Sequence, residues 1–83
     1  MFYTEWNISD GGEYCECIAS FSEKFTPILR LRIIRYTSKT MFDLVIRDYK
    51  TGIMITSNKC SSLPQSKIKL KKLAELAIIN FTN

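Results

Sequence analysis

Apolar and polar residues alternate through most of the first sixty positions, and the period then changes. Phe2, Thr4, Trp6 and Ile8 interleave with Tyr3, Glu5 and Asn7. Successive side chains of a strand point to opposite faces, so this alternation predicts a strand over 2–8. A second run, 13–22, sets Cys15, Cys17, Ala19 and Phe21 on one side. The third, 28–36, has the clearest pattern, with Leu29, Leu31 and Ile33 opposite Arg30 and Arg32. A fourth, 41–49, brings Phe42, Leu44 and Ile46 together, and a short fifth covers 53–57. Turn residues separate the runs: Asp10-Gly11-Gly12, a loop over 22–27, Thr37-Ser38-Lys39-Thr40, and Tyr49-Lys50-Thr51-Gly52, where glycine can take the left-handed conformation. These connections are too short for crossover helices, so neighbouring strands should run antiparallel.

From residue 62 the apolar spacing becomes helical. Ser62 with Gln65 three residues later fits a capping box, and Pro64 is tolerated in a first turn. At 100° per residue, Leu63, Leu70, Leu73, Ala74, Ala77 and Phe81 share one stripe, with Ile78 at its margin. This predicts a helix over 63–81. The expected fold is α+β, an antiparallel four- to five-stranded meander sheet with one C-terminal helix packed on one face. It forms a single domain over 1–83. Its core should contain Cys15, Cys17, Ala19, Phe21, Leu29, Leu31, Ile33, Phe42, Leu44, Ile46, Ile53 and Ile55 under the helix.

One helix covers one side of a sheet, so the other face decides function. The opposite parity gives Tyr14, Glu16, Ile18, Ile28, Arg30, Arg32, Ile34, Tyr36, Met41, Asp43, Val45, Arg47, Tyr49 and Met54. Tyr, Met and Arg are enriched at interfaces because they bury a large area and keep a polar handle. The partner-binding residues are therefore expected to be Arg30, Arg32, Ile34, Tyr36, Val45, Arg47 and Tyr49. A competing structural reading treats the same residues as ordinary strand formers, solubilised by cross-strand Glu16–Arg and Asp43–Arg pairs.

Charge sharpens this choice. The chain is 83 residues long with net charge +4. Glu5, Asp10, Glu13, Glu16 and Glu23 precede residue 26, whereas every basic residue except Lys24 follows it. The asymmetry allows a basic face for phosphates or an acidic protein, or an acidic first part that neutralises later strands. Lys67, Lys69, Lys71 and Lys72 form the densest cluster and could contact nucleic acid. Their helical angles spread widely, which also suits a solvated surface. Ile68, Leu76 and Ile79 fall opposite the helix core stripe. They could form a second contact patch or dimer seam, or lie under the segment carrying Phe2, Tyr3 and Trp6.

Chemistry is sparse. There is no histidine, which removes the commonest general base and the Ser–His and Cys–His pairs. The adjacent glycines open a strand and not a helix, so no phosphate-cradling loop is expected. Cys15 and Cys17 share a strand face as small buried hydrophobes, and Cys60 stands apart, too few thiols for a metal site. No cofactor or metal is expected. Neither a membrane-spanning stretch nor a secretion signal is read, which points to the cytoplasm.

The expected function is non-catalytic binding of a partner protein through the exposed sheet face. Size and composition suit a phage or mobile-element accessory protein that inhibits or redirects a host enzyme. The alternative is a small basic nucleic-acid-binding protein with an Arg/Tyr sheet platform and a Lys-rich helix. A third reading is a homodimer that uses the same face for itself.

Overall fold

The computed structural model describes residues 1–9, 14–21, 27–35 and 41–82, except the side chains of 79–82. Among the described residues, six strands and one helix follow in order: β1 (Phe2–Tyr3), β2 (Asn7–Ile8), β3 (Tyr14–Ser20), β4 (Leu29–Arg35), β5 (Phe42–Asp48), β6 (Met54–Cys60) and α1 (Leu63–Thr82). All strand pairs are antiparallel, in the order β1-β3-β4-β5-β6, with β2 also pairing with β3. No helix among the described residues is long and apolar enough to cross a membrane. The turns expected at Asp10-Gly11-Gly12 and over 37–40 lie outside the described residues.

The predicted parity holds across the central strands. Cys15, Cys17 and Ala19 of β3, Leu29, Leu31 and Ile33 of β4, and Leu44 and Ile46 of β5 are buried with Leu70 and Ala74 of α1. Tyr3, Trp6, Phe42, Ile55, Cys60, Leu73 and Ile78 pack around this centre. The helix begins as its sequence requires: the Gln65 N–H donates to Ser62 Oγ at 3.3 Å, supplying one orphan donor of the first turn. Ser66, fully buried on the core side, donates its hydroxyl to the Ser62 carbonyl at 2.6 Å. That bond makes a polar residue tolerable where the helical stripe needs a small side chain.

Several expectations about the core and strands are corrected. The run 2–8 is two short strands that pair with opposite ends of β3, not one continuous strand. Phe21 is 55 % exposed, because the chain leaves the sheet after Ser20 and strand parity no longer applies. The last strand runs to Cys60, and Ile53, expected in the core, is 67 % exposed. A register shift at Ile46/Arg47 pairs Ile46 with Thr56 but Arg47 with Met54, leaving Ile55 as the extra residue. The bulge exchanges the faces, so Thr56, Asn58 and Cys60 follow Ile46, Leu44 and Phe42 on the helix side. Leu63, finally, is exposed at the start of the helix.

The N-terminal strands brace the flank of α1. The Tyr3 hydroxyl donates to the Lys71 carbonyl at 3.3 Å, and Lys71 Nζ lies 4.8 Å from the Tyr3 ring centre. Lys67 Nζ lies 5.8 Å from the Trp6 ring centre. This segment does not cover Ile68 or Leu76, which remain 59 % and 58 % exposed. The Ile79 side chain lies outside the described residues. On the opposite side, Lys69 Nζ donates to the Lys59 carbonyl at 3.2 Å, while the Lys59 N–H donates to Asn58 Oδ1 at 2.8 Å.

The three cysteines occupy different environments. Burial pushes the Cys17 thiol up to about 12 and raises Cys15 as well. Cys60 is lowered, chiefly by the backbone N–H of Ser62. Thiolate is the reactive form, so one of the three thiols should react quickly with a disulfide reagent at roughly pH 8. Cys60→Ser should abolish that fast phase, and Cys15 and Cys17 should react only on unfolding. A fast phase that survives Cys60→Ser, followed by absorbance in the native protein, would contradict this assignment.

Candidate binding face of the sheet

The uncovered face is built from cross-strand rows. One row is Tyr14–Ile34–Asp43–Lys59, the next Glu16–Arg32–Val45–Ser57, and the third Ile18–Arg30–Arg47–Met54. Beyond the third row the backbone bonds Ile28 to both Ala19 and Tyr49, bringing Tyr49 to its end. Each side chain stands there because the parity that buries Leu31 and Ile33 must turn Arg30, Arg32 and Ile34 outward.

Glu16 organises the cations. Its carboxylate accepts from Arg32 Nε at 2.6 Å and lies 3.4 Å from Arg30 Nε. Each guanidinium also lies over a tyrosine ring. The Arg32 guanidinium carbon is 4.7 Å from the Tyr14 ring centre, and that of Arg30 is 5.1 Å from Tyr49. Carboxylate and rings together fix the two arginines in register, with side chains still about one third exposed (32 % and 36 %). Contacts of this kind, a guanidinium cation over an aromatic ring, contribute about 0.5–1 kcal/mol at exposed positions.

Arg47 is placed differently. It faces Arg30 directly across β4 and β5, and its Nη1 donates to the Gly52 carbonyl at 3.0 Å. That carbonyl is presented by the turn between β5 and β6. Asp48 Oδ1 accepts from the N–H groups of Lys50 and Thr51, both at 2.9 Å, and the Gly52 N–H donates to the Asp48 carbonyl at 2.9 Å. Gly52 adopts φ 74°, which strains any residue with a Cβ. The Asp48 carboxyl is held below its usual range, first by the Thr51 N–H. The turn folds back beside the arginines. A concavity of about 570 Å³ results, lined by Arg30, Arg32, Arg47, Asp48, Tyr49, Lys50, Thr51 and Gly52.

Of the residues expected to bind a partner, Arg30, Arg32, Arg47 and Tyr49 meet around this concavity, and Ile34 stands two rows away on the same face. Tyr36 lies outside the described residues. Val45 is corrected: it is only 7 % exposed, enclosed among long neighbours such as its cross-strand partner Arg32, and forms the floor of the face. Asp43 is opposite Ile34 and Lys59 and pairs with no arginine among the described residues, where Glu16 bridges two arginines in place of the expected Asp43–Arg pair. Met41 precedes β5 and is exposed.

The four helix lysines do not form one surface. Lys67 and Lys71 turn toward Trp6 and Tyr3, Lys69 toward β6, and Lys72 is exposed. All belong to the element that covers the other side of the sheet. Sequence reasoning missed the contribution of Lys50, Thr51 and the Gly52 carbonyl. The turn signal was visible, but not its folding back toward the arginine rows. Among the described residues, no group of three or more Cys, Asp or Glu side chains comes together for a metal. No protein-family model matches the sequence, and no curated protein or solved structure is significantly similar to it.

Proposed function

We propose that the chain acts by stoichiometric binding, without catalysis, and docks on a partner protein through the open face of its sheet. The observation that carries this reading is the Tyr14–Arg32–Glu16–Arg30–Tyr49 lattice, a partly exposed array whose arginines are each engaged by Glu16 and a tyrosine ring. Side chains immobilised before association lose less rotamer freedom on docking, which favours affinity. Ile18, Ile34 and Met54 supply apolar contact around that array, the usual mixture of an interface centre. In the finer form of the proposal, the chain is a phage or mobile-element accessory protein that blocks or redirects a host enzyme sterically and electrostatically.

Two features favour a protein over a nucleic acid. Stacking of unpaired bases needs open ring faces, whereas Tyr14 and Tyr49 each give one face to an arginine. The helix lysines, which would extend a phosphate track, lie on the other side of the sheet.

Affinity capture from a lysate of the native host, with and without nuclease, tests the reading. A protein should be retained after nuclease treatment, and Ile34→Lys should reduce its recovery by about tenfold. The new lysine would face Asp43, so the fold should persist, as checked by an unchanged thermal melt. Recovery lost on nuclease treatment would replace the protein partner with nucleic acid. A doubled mass in sedimentation equilibrium, abolished by Ile34→Lys, would make the partner a second copy of the chain.

A further inference from the structure

We infer that the concavity between the arginine rows and the Asp48–Gly52 turn is an oxyanion site, and that it receives a carboxylate side chain presented by an acidic, partly apolar segment of the partner protein. This rests on the docking role proposed for the open face and gives the chemistry of its anchor.

Charge balance is the first reason. Arg30, Arg32, Arg47 and Lys50 line the concavity with one carboxylate, Asp48, which is directed at the N–H groups of the turn. Glu16, beside it, is shared between Arg30 and Arg32. Arg47 pairs with no carboxylate among the described residues and stands directly opposite Arg30. Like charges across an antiparallel pair are destabilising, so an anion set between these guanidinium groups relieves a repulsion that the chain alone leaves in place.

Donor geometry is the second reason. A guanidinium offers five N–H donors in a planar fork, and Glu16 engages Arg30 and Arg32 through Nε. The remaining donors suit a carboxylate, which can take two parallel bonds from one arginine. The surroundings then select the source of the oxyanion. Across the sheet the row of Arg30 and Arg47 ends in Ile18 and Met54, and along β4 and β5 the arginines give way to Ile34 and Asp43, with Lys59 at the end of that row. A phosphate backbone needs positive charge continued along its track, and here Ile34 and Asp43 interrupt it. One acidic side chain among apolar neighbours fits the pattern.

The test titrates the full-length, isotope-labelled chain with the peptide acetyl-Val-Glu-Val-Glu-Val-amide at low salt. Saturable shifts should appear at the arginine Nε–H groups and at the amides of Lys50, Thr51 and Gly52. Arg30→Gln and Arg47→Gln should each weaken binding by about tenfold, with Lys69→Gln on the other side of the sheet leaving it within about twofold. The spectra of the variants report directly that they are folded. Absence of shifts, equal shifts with the Val-Gln-Val-Gln-Val peptide, or equal weakening by Lys69→Gln would overturn the inference. Tighter binding of single-stranded oligothymidine at the same residues would overturn it in favour of phosphate. The two readings fail separately: if Ile34→Lys abolishes partner capture but Arg30→Gln and Arg47→Gln do not weaken it, the face stands and the oxyanion site falls.

Discussion

Leu70→Asp should leave no cooperatively folded protein at 25 °C. Leu70 is fully buried where α1 crosses β4 and β5, beside Ala74 and above Leu31, Ile33, Leu44 and Ile46. The substitution removes about 1.5–3 kcal/mol of apolar burial. It also requires an unpaired carboxylate to lose its water, which costs several kcal/mol more, or the helix to lift away. Small domains are stable by only about 5–15 kcal/mol, and one of this size falls toward the lower end. The loss therefore equals or exceeds what is present. Circular dichroism should show no thermal transition, and a dye that binds exposed apolar surface should light up at room temperature. A cooperative melt within a few degrees of the parent would mean that the helix does not close the core. Lys72→Asp, on the exposed side of the same helix, should change stability by no more than about 0.5 kcal/mol.

Leu31→Ala should lower stability by about 2–5 kcal/mol, since Leu31 sits at the centre of the middle strand with no exposed surface and the cavity cannot easily collapse. In a domain of this length each kcal/mol corresponds to about 4–8 °C in Tm. Ile34→Ala, on the same strand but on the open face, should cost less than half as much, because Ile34 is only partly buried. The contrast between these two variants measures the sidedness of the sheet. Equal losses in urea titrations would show that both faces are covered, and the proposed docking surface would then be buried.

The sidedness was legible in the sequence wherever period-two alternation ran uninterrupted. Cys15, Cys17 and Ala19, then Leu29, Leu31 and Ile33, declare one face, and Arg30 and Arg32 declare the other. Ser62 marked the start of the helix with equal clarity, because its side chain does local work that depends on no distant contact. The bulge was not legible. Ile53 and Ile55 alternate like any half-buried strand, and only the opposing Ile46 and Arg47 reveal that one residue is surplus. Val45 shows a related limit: residue parity assigned its direction correctly, but its accessibility depends on long neighbouring side chains lying across it. Ser66 is hidden for the converse reason, since a polar type at a core position is explained only by the carbonyl it meets. The oxyanion concavity required both the arginine rows and the path of the Asp48–Gly52 turn, and the second is a tertiary fact.

The contacts at Lys59 bear on how the molecule avoids its own kind. β6 is the last strand of the sheet, and an unpaired margin invites another chain to extend the ladder. At Lys59 that invitation is withdrawn: the amide is taken by the neighbouring asparagine and the carbonyl by a lysine reaching down from the helix. A foreign strand would have to displace both while approaching two positive charges. At this one position, the helix that closes the core also occupies a group that another strand would need.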